Sequence, residues 1–184
     1  MLEGKNVNLR VTEKEDLPLL TEWWNDPKFT GEYLPFPTQD SRTDMEKMFE
    51  KNRSTPDGLR GFIIEKKDRS RIGNVTFYNS YIGGAKLLEI GYMVVQSERG
   101  KGYGTEAAQL MVDYLFLSMD VNRIQASTSI KNTGSQRVLE KAGFTKEGTI
   151  RKSVNGVRRD SYLYSVLREE WKEPRILTGA VQHQ

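Results

Sequence analysis

Cysteine is absent from this 184-residue chain, and histidine occurs once, at His183, one residue from the C-terminus. The first absence excludes disulfides, thiolate nucleophiles and cysteine-based metal sites. The second leaves a histidine base or ligand without a stable platform, because chain ends are usually disordered. Any general base must then be a carboxylate, a tyrosine or water, and no metal site is expected. Charge of one sign is not in excess: 28 basic residues stand against 25 acidic ones, a net charge of +3. So small a surplus makes no patch, and direct nucleic-acid binding is not expected. No stretch approaches the roughly 20 apolar residues that span a bilayer, and no apolar leader opens the sequence. The expectation is a cytoplasmic protein without membrane contact.

What is present suits one domain. A hydrophobic content of 36% over 184 residues supports a single core and is too little chain for two ordinary domains. The reading is a domain over 1–170 with a loosely held tail, 171–184. Asn6 to Thr12 alternates as a strand, and a capping box at Thr12 and Glu15 opens a helix that runs to Asn25. The Asp26 to Gln39 stretch, with three prolines and aromatics Phe29, Tyr33 and Phe36, reads as a partly buried loop. Thr38 or Asp40 to Asn52 is a second helix, with Met45, Met48 and Phe49 on one face. Arg60 to Lys66 and Arg71 to Tyr81 form a hairpin, and Lys86 to Val95 follows the Gly83-Gly84 turn, with Gly91 as a sign of a bulge or a close backbone approach. A helix from Glu106 to about Asp120, a strand from Arg123 to Ser129, a helix from Asn132 to Lys141 and a hairpin around Asn155-Gly156 complete the chain. This order predicts an α/β (α+β) fold with a mixed, mainly antiparallel sheet of about seven strands and about four helices.

The stretch from Gln96 to Thr105 concentrates the chemistry. Gly100, Gly102 and Gly104 alternate with Arg99, Lys101 and Tyr103 at a strand-to-helix junction. Glycines there allow positive φ and turn successive amides into one concavity, while the following helix adds its positive dipole end. Such a loop suits a pyrophosphate; a plain flexible turn is the alternative. The spacing of a Walker loop is missing. A relaxed dinucleotide fingerprint at Gly102, Gly104 and Ala107 sits after the wrong strand and lacks its acidic partner.

The third pattern, Arg99-x-x-Gly102-x-Gly104, resembles the GNAT superfamily of acetyl-CoA-dependent N-acetyltransferases. Glu89-Ile90-Gly91-Tyr92, Thr105-Glu106-Ala107 and the block from Asn132-Thr133-Gly134-Ser135 to Glu140-Lys141-Ala142-Gly143-Phe144 extend the likeness toward the branch of RimJ/RimL-type ribosomal-protein N-terminal acetyltransferases. The resemblance implies the GNAT fold, acetyl-CoA as donor and a primary amine as acceptor: a protein N-terminal α-amine, with a polyamine, aminoglycoside or amino acid as the alternative, or else a non-catalytic acetyl-CoA-binding module. The enzyme would hold coenzyme A through the main chain of Arg99 to Gly104 and Thr105, through the strand edge of Met93, Val94 and Val95, and through Asn132, Ser135 and Arg137. Asn132 reads equally well as a helix N-cap.

Glu89 is the candidate base, acting through water, with an ordinary exposed strand carboxylate as the competing reading. Where many relatives carry a tyrosine to protonate the leaving thiolate, this chain has Leu139, so Ser135 or solvent takes that task. Trp24, Tyr33 and Phe36 are the candidate acceptor wall. A homodimer is compatible with all of this.

Overall fold

The computed structural model describes residues 1–30, 39–82, 85–151 and 160–177. Among them are eight strands, β1 (Leu2–Glu3), β2 (Val7–Val11), β3 (Arg60–Lys66), β4 (Arg71–Ile82), β5 (Ala85–Val94), β6 (Arg123–Ser129), β7 (Thr145–Ile150) and β8 (Ser161–Leu167). The helices are α1 (Leu17–Asn25), α2 (Pro27–Thr30), α3 (Arg42–Ser54), α4 (Tyr103–Ser118) and α5 (Thr133–Ala142). All strands join one sheet in the order β1-β2-β3-β4-β5-β6-β8-β7. Each neighbouring pair is antiparallel except β5 and β6, which α4 connects as a crossover. The mixed, mainly antiparallel sheet anticipated above is therefore found. Two short elements escaped the sequence reading: β1, and α2 inside the stretch read as a loop. The Asn155-Gly156 turn lies outside the described residues, although β7 and β8 do pair as a hairpin.

Alternation decides which face each strand buries. On one face, Val7, Leu9, Val75, Leu88, Ile124 and Tyr164 meet α4 and α5 in the main core. On the other, Ile63 packs with Leu17, Leu20, Trp23, Phe29 and Met45 from α1, α2 and α3. Phe29 stacks on Trp23 with centroids 5.1 Å apart, which ties α2 back onto α1. The capping box expected at Thr12 and Glu15 sits one residue further on, at Glu13 and Asp16, where it closes a 3-10 turn ahead of α1. The reason is Asp16, 2% exposed, whose carboxylate is held by Arg10 at 2.8 Å and cannot serve a different register.

Helix α4 starts at Tyr103, three residues earlier than its apolar pattern suggests, because Gly102 takes φ 90° and serves as its N-cap. Ala107, Ala108, Leu110, Met111, Val112, Leu115 and Phe116 are all buried. A helix apolar nearly all round needs cover on every side. The sheet and α5 provide two sides, and the C-terminal segment provides the third. Asp113, fully buried, accepts hydrogen bonds from Trp171 Nε1 (2.8 Å) and from the main-chain amides of Arg175 and Ile176. Trp171 also lies 5.6 Å from the Phe116 ring, and Leu177 N–H donates to Glu3 O at 2.8 Å. The expectation of a loosely held tail is therefore corrected for residues 171–177, which are anchored by one buried carboxylate. Replacing Asp113 with Ala leaves an indole and two amides without their acceptor, so unfolding free energy should drop by about 3 kcal/mol in urea denaturation. Acetyl-CoA affinity should stay within about twofold; a loss below about 1 kcal/mol would mean the clamp contributes little.

A second correction concerns Gly91. The β4–β5 ladder runs without a register shift from Ile82↔Ala85 to Gly73↔Val94, with Gly91 opposite Thr76. No bulge interrupts β5. The irregularity lies on its other edge, where β6 parts from it.

Candidate active site

Strands β5 and β6 are in register at only two pairs, Leu88↔Ile124 and Glu89↔Gln125. Beyond them β5 continues along β4 and β6 along β8, so a wedge opens in the middle of the sheet. A cavity of about 980 Å³ fills this wedge, lined by β5, the glycine loop, β6 and α5. Antiparallel ladders alternate the edge to which each residue turns its N–H and C=O. Val95 N–H points back to β4, donating to Ile72 O at 2.8 Å. Met93 shares that edge. Val94 therefore turns toward the wedge, and it is the member of the Met93–Val95 trio whose amide faces the open space.

The loop at the mouth of the wedge has the conformation its glycines permit. Gly100 and Gly102 have φ of 78° and 90°, and a Cβ at either would meet no atom within 4 Å. Open space over left-handed glycines at the N-terminus of a 16-residue helix is an anion cradle built from main-chain amides. Gly100, Gly102, Gly104 and Thr105 line the cavity, whereas the Tyr103 ring packs against the main core. Arg99 takes a different part from the free cation its position suggests. Its guanidinium donates to the carbonyls of Val94 (2.8 Å), Phe29 (2.7 Å) and Lys28 (3.2 Å), bracing the loop against α2. Lys101 pairs with Glu98 at 3.0 Å.

Across the wedge, α5 presents its first turn. Asn132 Oδ1 caps the helix by accepting from Ser135 N–H (3.0 Å), the N-cap reading, and Asn132 also lines the cavity. Ser135 and Arg137 line the same wall. Ser135 Oγ lies 2.9 Å from the Tyr92 hydroxyl, which also donates to Ser135 O at 3.1 Å. Burial pushes the Tyr92 phenol above its ordinary value, outweighing the opposing effect of the Ser135 contact. Leu139 is 1% exposed and offers the cavity only carbon.

Glu89 stands at the apex where β5 and β6 part. Its carboxylate accepts from Gln125 Nε2 (2.9 Å) and Ser127 Oγ (3.1 Å), and Tyr78 is its cross-strand partner. Burial, then the nearby Glu89 charge, raises the Tyr78 phenol above the tyrosine norm. Tyr78 and Ser127 line the cavity, so Glu89 reaches it through its neighbours. Neither was picked out from sequence, nor was Tyr92. For Tyr78 the signal was available: counting back from the Gly83-Gly84 turn puts Tyr78 opposite Glu89.

Of the proposed acceptor wall, Trp24 is described, and Tyr33 and Phe36 lie outside the described residues. Trp24, Asn74 and Thr76 line both the wedge and a second cavity of about 1000 Å³ between α1, α3 and the sheet. The second cavity's described walls include Leu17, Leu20, Met45, Met48, Phe49 and Leu59.

The architecture has relatives. The family described as "Acetyltransferase (GNAT) domain" matches residues 6–145. The probable N-acetyltransferase YjcK of Bacillus subtilis is 35% identical over 92% of this chain and 98% of its own. The uncharacterized N-acetyltransferase p20 of Bacillus licheniformis is 33% identical over 92% and 97%. Among solved structures, Mycobacterium smegmatis RimJ in complex with CoA-disulfide superposes with a TM-score of 0.77 at 25% identity, covering 92% of this chain and 85% of that one. With a wedge between two strands and left-handed glycines at its mouth, and with a family model and relatives that match most of its length, the chain belongs to the GNAT family: it is an N-acetyltransferase that draws its acetyl group from acetyl-CoA.

Proposed function

We propose that the acceptor is the α-amine of a protein N-terminus. The observation that carries this reading is the charge balance of the second cavity. Its described lining has two acids, Asp40 and Asp120, against two bases, Arg53 and Arg60, within largely apolar walls. A polycationic acceptor calls for a surplus of carboxylates. Of the acids such an acceptor would draw on, Glu32 lies outside the described residues. Asp26, whose Oδ1 accepts from Lys28 N–H at 2.8 Å, is not in that lining, where Asp40 and Asp120 are the acids. Support also comes from the Escherichia coli [ribosomal protein uS5]-alanine N-acetyltransferase, 27% identical over 61% of this chain and 59% of its own. A spermidine N-acetyltransferase and an aminoglycoside acetyltransferase share the fold at 22% identity, so a small-amine acceptor is the second reading.

In this proposal, acetyl-CoA supplies an acetyl group activated as a thioester, and the chain's residues do the rest. The amides of Gly100 to Gly104 hold the pyrophosphate, and Val94, Asn132 and Arg137 align the arm. Glu89 removes the amine proton through water, with Gln125 and Ser127 fixing the carboxylate. Little help is required, since an α-amine titrates near ~8 against ~10.4 for lysine. Ser135 Oγ–H supports the leaving sulfur. Without a cysteine to carry acetyl, transfer is direct, in a ternary complex.

Thiol release from acetyl-CoA, measured with short peptides bearing free N-termini, spermidine and an aminoglycoside, tests the reading. The peptides should show kcat/KM at least about tenfold above the other two. A higher value for spermidine or the aminoglycoside would transfer the proposal to the small-amine class.

A further inference from the structure

We infer that Tyr92 is a positioning residue for the leaving group: its hydroxyl, set against both oxygens of Ser135, holds the serine so that Ser135 Oγ–H is presented to the departing sulfur. The inference rests on Ser135 as the group facing that sulfur and is independent of which amine is the acceptor.

The geometry allows Tyr92 two hydrogen-bond partners on one residue, Ser135 O at 3.1 Å and Ser135 Oγ at 2.9 Å. A phenol has one proton and two such acceptors, so its donor bond can move between them. While it rests on the carbonyl, the serine hydroxyl can donate to the phenol oxygen. When charge builds on sulfur, the serine proton turns outward, and the phenol proton moves to Oγ. The serine hydroxyl thus gains a donor at the moment it becomes one, and chained hydrogen bonds of this kind reinforce each other. The buried phenol keeps its proton throughout, because burial raises it. As the carbon–nitrogen bond forms and the carbon–sulfur bond breaks, the electron pair leaves on sulfur. The amine proton departs toward Glu89 and solvent, and sulfur takes its proton from solvent or through Ser135, which is reprotonated. Tyr92 and Ser135 end as they began.

Position strengthens the case. Tyr92 on β5 and Ser135 on α5 face each other across the wedge, with Leu139 beside them in its lining. The family's phenol is missing from α5, and Tyr92 brings one to the same wall from the opposite element.

The test uses Tyr92→Phe, Ser135→Ala and the double variant, each checked for an unchanged unfolding midpoint. Two readouts apply. In equilibrium binding at pH 9, where a thiol of pKa near ~8.5 is mostly thiolate, the wild type should favour coenzyme A over desulfo-coenzyme A by about tenfold. All three variants should show that preference reduced to about twofold. In turnover with any accepted amine, or in acetyl-CoA hydrolysis if no amine reacts, Tyr92→Phe should lower kcat about tenfold with the acetyl-CoA KM within twofold. The double variant should be no slower than Ser135→Ala alone, the signature of two groups acting as one. Additive losses, a rise in KM in place of a fall in kcat, or a thiolate preference untouched by Tyr92→Phe would overturn the inference.

Discussion

Gly102→Val should weaken acetyl-CoA binding at least about 100-fold in calorimetric titration, roughly 2.7 kcal/mol. Gly102 lines the wedge, and a Cβ there points into space free of protein atoms within 4 Å. A branched side chain would occupy the room that the loop amides enclose. Each displaced hydrogen bond to a charged group is worth about 1.5–3 kcal/mol, so losing one or two accounts for the effect. The same residue has φ 90°, a region that a β-branched side chain strongly disfavours. The variant should therefore also lose about 2 kcal/mol of stability, more than the near-intact fold that the loop's spacing alone would suggest. Gly102→Ala separates the two effects, having most of the backbone strain and little of the bulk. If valine binds acetyl-CoA as tightly as glycine in a folded variant, the cradle is elsewhere.

Glu89→Gln should lower kcat about 100-fold near pH 6.5, within the usual contribution of a general base, with a deficit that narrows as pH rises above ~8. At higher pH more of the acceptor amine is already neutral and hydroxide replaces the lost carboxylate. The substitution is structurally mild. Gln125 can still donate to the oxygen of the new side-chain amide, and the Ser127 hydroxyl can reverse to accept from its nitrogen. Glu89 itself does not line the wedge while Ser127 and Tyr78 do, so the proton path proposed for Glu89 would run through water beside these neighbours. A deficit of the same size at every pH, or none, would return Glu89 to a structural role as the pin between β4, β5 and β6.

The elements that were legible in the sequence are those with dense local signals. The glycine loop, the hairpin at Lys67 to Ser70 and the N-cap at Asn132 depend on residues within a few positions of each other. The two-residue β1 and four-residue α2 are too short to establish a period. The start of α4 depends on a backbone angle at Gly102 that no spacing displays. The anchored segment after Trp171 was missed for a different reason, although Asp113 is a carboxylate in the middle of the apolar run of α4. Its partners are some 58 residues or more away in sequence, and only tertiary structure joins them. The same holds in the site. Glu89 and Ser135 could be nominated by position, but the partners that define them, Gln125, Ser127 and Tyr92, come from other elements.

The open seam between β5 and β6 also bears on the cohesion of the molecule. Between the five strands on one side and the three on the other, the main-chain ladder has two residue pairs, supplemented among the described residues by the Gln125 and Ser127 bonds to Glu89 and by the helices packed beneath. A ligand lying along Val94 in that seam completes a ladder the chain leaves unfinished, and so acts as a removable part of the sheet. Saturation at 100 times Kd contributes about 2.7 kcal/mol by mass action, at a central joint where the sheet has only two residue pairs of its own. The donor is then a keystone as well as a reagent, and each turnover hands the joint from one such ligand to the next.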